Sequence, residues 1–217
     1  MEKQKNIFLK TESNAWFIRN RSIIAKKKLP EDDPVLLEII RLSNSNKLLR
    51  VLEIGCGDGY RLEWLKANMN FICSGLEPSA VAVEKGCQRG IDVRQGTADQ
   101  LPFEDRSFDL VIFGFCLYLC DREDLFRIAS EADRVLSGPG WLIIHDFYSP
   151  TPLLRDYHHY SGLFSYKMDY RALFLWHPSY VCFSHKVRNH EEFNCYIDDP
   201  QEWVALSVLR KLSLEFS

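Results

Sequence analysis

The sequence predicts an α/β fold built on a mostly parallel sheet, and three observations indicate it. From Arg50 onward, short apolar runs alternate with amphipathic stretches, which is typical of successive βαβ units. A glycine-rich turn, Gly55–Gly59, follows the first apolar run. The 217 residues are 46% hydrophobic and carry a net charge of −3, as in an ordinary globular protein. Right-handed βαβ connections place helices on both faces of such a sheet.

The individual strands are predicted from apolar runs that end at glycine or polar residues. Five buried strands are predicted at Arg50–Gly55, Phe71–Glu77, Ile91–Gln95, Phe108–Phe113 and Trp141–Phe147. Two further segments, Tyr180–Val187 and Trp203–Leu209, alternate and are expected to close the sheet as an antiparallel pair. The aromatic-rich stretch between them and the fifth strand follows no single period.

Helices are predicted between these strands from their apolar spacing and end signals. They are expected at Tyr60–Met69, at Ala80–Arg89, and from Asp121 to Leu136. Ser79 and Asp121 are the predicted N-caps of the second and third helices, and Gly90 is a predicted stop signal.

Composition excludes several classes of protein. The seven cysteines are scattered without Cys-x-x-Cys spacing, which predicts free thiols in a reducing, cytoplasmic setting and no metal site. The sequence shows neither an apolar run of about 18 residues nor a secretory signal, so we expect no membrane association. Eight Lys and Arg residues precede position 31, and they indicate either a solvated helix face or a lid that attracts an anionic substrate.

The predicted topology also predicts where a ligand binds. In parallel sheets, ligands occupy the loops at the carboxyl ends of the strands. Here the first of these loops, Glu53–Tyr60, contains three glycines that allow backbone to approach a ligand closely. Tyr60 stands where a dinucleotide fingerprint has a further glycine, and Glu53 would repel a pyrophosphate but attract a cation. Glu77 ends the second strand, where an acid can accept both hydroxyls of a ribose.

Three stretches together resemble a known family. Val51–Gly59, Gly96–Asp109 and Glu131–Gly140 resemble, in the right order, motifs of class I S-adenosylmethionine-dependent methyltransferases of the small-molecule branch. Asn14–Arg21 and Tyr166–Tyr170 are also similar to segments of an uncharacterised bacterial subgroup. The resemblance implies a Rossmann-like class I methyltransferase fold with a seven-stranded sheet. It also implies one domain over residues 1–217, with a helical lid at 1–48, a cofactor-binding core at 49–147 and a substrate-covering segment at 148–217.

The resemblance implies S-adenosyl-L-methionine as cofactor and assigns residues to it. Glycine backbone would pass beneath the methionine part, Glu53 would hold its amino group, and Glu77 would bind the ribose. Thr97 departs from the family, which often has an aspartate there for the adenine amino group, so Asp99 is a possible substitute. The implied cofactor residues are Glu53, Gly55, Gly57, Gly59, Glu77, Pro78, Thr97, Ala98, Asp99, Gly114 and Phe115.

Methyl transfer by direct in-line displacement needs alignment and exclusion of water, and a base only if the acceptor must lose a proton. Candidate catalytic residues are His145, Tyr118 and His158. Two roles remain open for His145: a catalytic base, or a histidine that only forms a hydrogen bond at the edge of the sheet. Candidate acceptor-binding residues are Trp16, Arg19, Arg21, Tyr157 and His159, the arginines for a carboxylate or phosphate.

Functions other than methyl transfer are also compatible with parts of the sequence. A nicotinamide-dependent oxidoreductase is disfavoured by Tyr60 and Glu53. A non-catalytic sensor or partner subunit that binds S-adenosylmethionine stays open. A nucleic-acid substrate is disfavoured because Gly114 begins no Asn/Asp-Pro-Pro-Tyr turn and the chain is slightly acidic. A small-molecule acceptor follows by elimination, and the basic N-terminal region favours an anionic one. The oligomeric state is not predicted.

Overall fold

A computed structural model describes residues 3–43, 49–190 and 198–213. Within them a seven-stranded sheet forms with the order β3-β2-β1-β4-β5-β9-β8. Strands β1 to β5 are parallel, and β9 pairs antiparallel with both β5 and β8. The predicted α/β class and the antiparallel closing pair are therefore confirmed. The sheet consists of β1 (Arg50–Ile54), β2 (Ile72–Glu77), β3 (Asp92–Gln95), β4 (Phe108–Gly114), β5 (Leu136–Phe147), β8 (Tyr180–Asn189) and β9 (Trp203–Lys211).

A small hairpin that the sequence did not predict lies apart from this sheet. Its strands are β6 (Leu153–Asp156) and β7 (Phe164–Lys167), which pair antiparallel. The helices are α1 (Gln4–Ile7), α2 (Ser13–Ile24), α3 (Pro34–Leu42), α4 (Tyr60–Met69), α5 (Ala80–Gln88), α6 (Leu125–Val135) and α7 (Ala172–Leu175). One turn of π-helix, Phe8–Glu12, joins α1 to α2.

Apolar residues cover both faces of the sheet because successive strand residues point to opposite sides. On β4, Val111 and Phe113 pack with α6, whereas Leu110 and Ile112 pack with α3 and α4. Helices therefore lie on both faces, as predicted. A third cluster, formed by Phe8, Tyr157 and Leu163, attaches the N-terminal helices to the segment that follows β6.

The helix-end predictions were right at α5 and wrong at α6. The Ser79 hydroxyl accepts a hydrogen bond from the Ala82 amide at 3.2 Å, and Gly90 has a positive φ of 75° after the helix. Asp121 does not cap α6, because a short 3-10 turn intervenes. Its carboxylate instead accepts from the backbone N–H groups of Gln4, at 3.1 Å, and Lys5, at 3.0 Å. Asp121 therefore caps α1.

Candidate active site

A cavity of about 690 Å³ lies at the carboxyl ends of the parallel strands. It is lined by the loops after β1 to β5 and by the N-terminal helices. The fold thus brings together residues that lie far apart in the sequence. The predicted cofactor residues that line the cavity are Glu53, Gly55, Gly57, Glu77, Pro78, Thr97, Ala98, Asp99, Gly114 and Phe115.

The glycines of the loop after β1 differ in their surroundings, although all three have positive φ. A Cβ on Gly55 would lie 2.7 Å from Cys116 Cβ, so this glycine allows two loops to pack closely. A Cβ on Gly57 would have no atom within 4 Å. Gly59 instead packs against Ile91 and Val93 and does not line the cavity. Gly57 is therefore the glycine whose bare backbone faces open space in the cavity.

Glu77 ends β2 and is 9% exposed. One carboxylate oxygen accepts from the Gly57 amide and the other from the Ser79 amide, both at 3.0 Å. These bonds fix the carboxylate at the cavity wall, and each oxygen keeps a lone pair for a further donor. Burial raises the pKa of Glu77 to about 7.

Glu53 belongs to a buried ionic cluster that sequence reasoning did not find. It forms an ion pair with Arg61, and Arg61 also contacts Asp33 with a nitrogen–oxygen distance of 3.0 Å. Arg61 lowers the pKa of Asp33 to about 2, although burial opposes the shift. For Glu53, burial prevails and raises its pKa. The second carboxylate oxygen of Glu53 is buried and has no hydrogen-bond partner among the described residues. This oxygen is placed to accept a donor from a bound ligand.

A sequence signal for part of this cluster exists. Asp33 accepts from the Val35 and Leu36 amides as N-cap of α3, and Pro34 occupies the first turn. Asp followed by Pro is a typical helix start. The pairing of Asp33 with Arg61 carries no such signal, since it depends on how α3 packs beside α4.

A second group of charged residues also lines the cavity. The Thr97 hydroxyl donates to one Asp99 oxygen at 2.7 Å, and Lys5 Nζ lies 2.5 Å from the other. Lys5 Nζ also lies 2.7 Å from an Asp124 oxygen. Because Thr97 uses its proton on Asp99, the carboxylate is fixed in orientation, and both residues keep lone pairs that can accept.

Aromatic side chains form the compartment beyond Gly114. The Phe115 ring packs edge-on against His145, with centroids 4.4 Å apart, and against Phe147 at 5.5 Å. His190 lies 4.9 Å from Phe147, and Tyr118 packs on the same ring. Burial lowers the pKa of His145 to about 3 and raises the pKa of Tyr118 above its usual range. Near neutral pH both side chains are therefore uncharged.

One face of α2 lines the cavity. Ser13, Trp16 and Asn20 recur at the three- and four-residue spacing of a helix face, and Ile23 and Ile24 continue it. Lys27, which follows the helix, also lines the cavity. Lys27 forms no ion pair with a described side chain, whereas the other lining cations, Lys5 and Arg61, are paired.

Several predicted acceptor residues lie elsewhere. Arg19 Nη2 pairs with buried Glu12 at 2.5 Å, and the Tyr157 hydroxyl donates to the same carboxylate at 2.9 Å. Neither Arg19 nor Tyr157 lines the cavity, and Arg21 is exposed. His158 and His159 are also exposed and lie outside it. The aromatic segment after β6 turns outward at these positions, so the structure does not bring them to the site. Trp16, Tyr118 and His145 are the predicted acceptor-side residues that it brings there.

The chain is similar to known proteins over the segment that carries the strands of this cavity wall. Residues 52–144 match the family described as the methyltransferase domain. An uncharacterised methyltransferase of Bacillus subtilis (strain 168) is 28% identical over 151 residues, covering 65% of this chain and 58% of that protein. The fatty-acid O-methyltransferase of Mycolicibacterium smegmatis is 33% identical over 103 residues, which cover 45% of this chain and 36% of that protein. The chain thus spans less than two thirds of the length of either relative.

A solved structure extends the likeness over nearly the whole fold. The Burkholderia thailandensis 1,6-didemethyltoxoflavin-N1-methyltransferase, with 1,6-didemethyltoxoflavin and S-adenosylhomocysteine bound, superposes with a TM-score of 0.71. The two chains are 12% identical, and the matched region covers 96% of this chain and 89% of the Burkholderia thailandensis chain. Residues 52–144 thus match a methyltransferase domain, and the fold is shared with S-adenosylmethionine-dependent methyltransferases. No helix among the described residues is long and apolar enough to cross a membrane.

Proposed function

We propose that this chain transfers a methyl group from S-adenosylmethionine to a small acceptor by direct in-line displacement. The observation that carries the proposal is the continuity of the cavity. It joins the Gly57 loop and Glu77 to the aromatic compartment at the end of β4. A donor held against the loop and an acceptor held among the rings would share one space without intervening protein.

The residues present fit the cofactor. Open space at Gly57 would receive its amino-acid part, and the unpartnered oxygen of Glu53 would accept from its ammonium group. Glu77 would accept from both ribose hydroxyls through its remaining lone pairs. Pro78, Thr97, Ala98 and Asp99 would border the adenine, in keeping with their place in the wall. When bound, the cofactor supplies a methyl group that a positive sulfur activates toward a nucleophile.

The protein's contribution to the reaction would be alignment and exclusion of water. Trp16 on α2 and Phe115 after β4 both line the cavity. Packed rings restrict the orientation of a bound acceptor and leave little room for water. A nucleophile positioned in this way reacts without a covalent enzyme intermediate.

A hydrogen-bond acceptor is available in the compartment. His145 is neutral near pH 7 because burial lowers its pKa to about 3, so its ring can accept a hydrogen bond from an acceptor O–H or N–H but takes up a proton poorly. Tyr118 keeps its hydroxyl proton and can donate to the acceptor. Asp146 has a different role, because its carboxylate accepts from the Cys116 amide at 3.0 Å and the Leu117 amide at 2.8 Å. Asp146 thereby fixes the loop that carries Phe115.

A small molecule is the acceptor class that these observations favour. Two similar proteins are named for small molecules, a fatty acid and 1,6-didemethyltoxoflavin. Because Arg19 and Arg21 do not line the cavity, an anionic group on the acceptor would instead meet Lys27.

The test is transfer of an isotopically labelled methyl group. The purified protein is incubated with methyl-labelled S-adenosylmethionine and fractionated small metabolites, and products are identified by mass spectrometry. We expect a labelled product with wild type and none with Glu77→Ala. Cofactor binding without transfer to any fraction would instead favour the sensor or partner-subunit interpretation.

A further inference from the structure

The segment that follows α2 brings a positive charge to the cavity. Among the described residues, the Lys and Arg side chains that line the cavity are Lys5, Lys27 and Arg61. Lys5 and Arg61 form ion pairs with carboxylates, whereas Lys27 forms no ion pair with a described carboxylate. Lys27 is therefore a cation that can still take an anionic partner from a ligand.

The carboxylates nearest to Lys27 along the chain are bound to other groups. Asp32 accepts from the Lys28 amide at 2.8 Å. Asp33 is buried, caps α3 and pairs with Arg61. The Lys27 side chain is exposed, but the protein around it removes part of its hydration and lowers its pKa. An ammonium group that has lost water without gaining a partner favours a ligand that supplies a negative charge.

The last turn of α2, which precedes Lys27, presents apolar side chains to the cavity. Ile23 and Ile24 line it, and Ile23 is 65% exposed. The charge of Lys27 also contributes to the lowered pKa of His145, so Lys27 lies within electrostatic range of the compartment that contains His145 and Phe115. One positive charge next to apolar and aromatic side chains fits a molecule with an apolar body and one anionic group.

We propose that the acceptor is a small carboxylic acid with an apolar body and that Lys27 binds its carboxylate, as an inference that rests on the proposed function. A carboxylate is favoured over a phosphate, because the described residues of the cavity wall include more carboxylates than cations. A second negative charge on the ligand would therefore be repelled. Lys27 is thus a specificity-determining residue for the acceptor.

The ion pair also indicates which part of the acceptor is methylated. A carboxylate paired with an ammonium group is a weak nucleophile, because the pairing neutralises its charge. The methyl group therefore goes to another atom of the acid. The bond from this atom to the methyl carbon forms as the carbon–sulfur bond breaks, and the electron pair of the broken bond stays on sulfur. A proton carried by the nucleophilic atom leaves to solvent, and the product remains a carboxylate.

The test uses methyl-labelled S-adenosylmethionine and two pools of small metabolites from a cell lysate. One pool is retained by an anion exchanger at about pH 8, and the other is not. We expect wild type to label a product in the retained pool only. The product should itself be retained at about pH 8 but not at about pH 2.5, where a carboxyl group is protonated. A product from the unretained pool, a neutral ester, or a product still retained at the lower pH would overturn the inference.

Variants at Lys27 test the contact itself. Lys27→Met should raise the Michaelis constant of the acceptor about tenfold and change kcat little, because the ion pair is present before and during transfer. Lys27→Arg keeps the charge and should retain most of the affinity. Lys26→Met is the matched control, since Lys26 is exposed and does not line the cavity. An unchanged Michaelis constant in Lys27→Met would overturn the inference.

Calorimetry with S-adenosylhomocysteine separates the acceptor from the cofactor. Lys27→Met should bind S-adenosylhomocysteine as wild type does. A loss of this affinity would assign Lys27 to the carboxylate of the cofactor and overturn the inference. Failure of wild type to label a product in either pool would instead count against the proposed function.

Discussion

At the scale of single residues, the loop after β1 contains two glycines with different roles. Gly55 lies against Cys116, so an added methyl group must displace the neighbouring loop. Gly57 faces open space, so an added methyl group meets nothing until a ligand binds. The two substitutions therefore separate folding from binding.

We predict that Gly57→Ala lowers the free energy of unfolding by about 1 kcal/mol, because its φ of 56° disfavours a side chain. Its affinity for S-adenosylhomocysteine should fall by about 1–3 kcal/mol, the usual range for steric overlap. Thermal melts and calorimetry measure the two effects. Gly55→Ala serves as the matched variant and should lose mainly stability; tight binding by Gly57→Ala would argue against a ligand at this loop.

The charge of Glu77 leads to a pH prediction. Its pKa is raised to about 7, so the ligand-free carboxyl is partly protonated at neutral pH. Ionised Glu77 accepts from two ribose hydroxyls better than the protonated acid, so adenosine affinity should increase as pH rises through about 7. Calorimetry between about pH 6 and 8 checks this direction, and adenosine itself carries no titrating group in that range.

Two variants and one ligand complete this test. Glu77→Gln should show no such increase, whereas Glu77→Ala should lose about 2–4 kcal/mol of affinity with both ribose hydrogen bonds. 2′,3′-Dideoxyadenosine, which lacks both hydroxyls, should bind wild type and Glu77→Ala equally. A pH profile that Glu77→Gln leaves unchanged would assign the titration to another group.

At the scale of elements, the Asn14 side chain joins α2 to the start of α5. Asn14 Oδ1 accepts from the Ser79 hydroxyl at 2.8 Å and from the Val81 amide at 3.2 Å, at the start of α5. The same α2 carries Trp16 into the cavity wall. Docking of α2 is therefore coupled to the shape of the site.

Asn14→Ala should loosen this docking, because the Val81 amide loses its partner. A net loss of about 1 kcal/mol corresponds to roughly fivefold faster release of S-adenosylhomocysteine and faster amide exchange along α2. Stopped-flow release and hydrogen exchange measure both. Arg21→Ala, at an exposed position on the same helix, should behave as wild type; equal effects of the two variants would show that α2 does not close the site through Asn14.

The element boundaries show what local sequence can predict. The strands and α4 and α5 were predicted to within a few residues, because apolar runs, Ser79 and Gly90 are local signals. The start of β5 was placed at Trp141, but the strand begins at Leu136, where it pairs with Phe108 across an irregularity in register. The hairpin β6–β7 and the role of Asp121 were missed, since both depend on contacts with distant segments.

At the scale of the whole molecule, Arg19 ties the N-terminal helices to the segment after β6. It pairs with Glu12, which is 3% exposed, and its Nη2 donates to the Tyr157 hydroxyl at 3.1 Å. Removing Arg19 leaves a buried carboxylate with one partner fewer. From the sequence we predicted that Arg19 binds an anionic acceptor. In the structure it instead holds the N-terminal helices against the segment after β6.

We predict that Arg19→Ala lowers the free energy of unfolding by about 1–2 kcal/mol, the value being moderate because the guanidinium is one-third exposed. For a chain of this length the melting temperature should fall by about 2–8 °C. Differential scanning calorimetry measures it, with Arg21→Ala as control. An unchanged melting temperature together with a raised Michaelis constant for the acceptor would restore a substrate-binding interpretation of Arg19.

As with the fold, local sequence predicts one part of the candidate site and misses another. Cofactor residues such as Gly57 and Glu77 were predicted because they stand at strand ends that a parallel sheet must bring together. Lys5 and Lys27 were not predicted as site residues, since their positions depend on how the N-terminal segments pack over the sheet. Arg61 was missed because its role depends on pairing with Glu53 and Asp33. His158 was predicted as a catalytic residue only because it is a histidine. Residue type does not determine where a side chain points, and His158 is exposed on the surface.

We infer above all that the cavity holds the sulfur nucleoside with its ribose on Glu77. A crystal structure of the protein with S-adenosylhomocysteine would show where the nucleoside binds. We expect both ribose hydroxyls within hydrogen-bond distance of the Glu77 carboxylate, and the sulfur on the side of Phe115. A nucleoside bound elsewhere, or in the cavity with its ribose away from Glu77, would show that this site does not hold the cofactor as inferred.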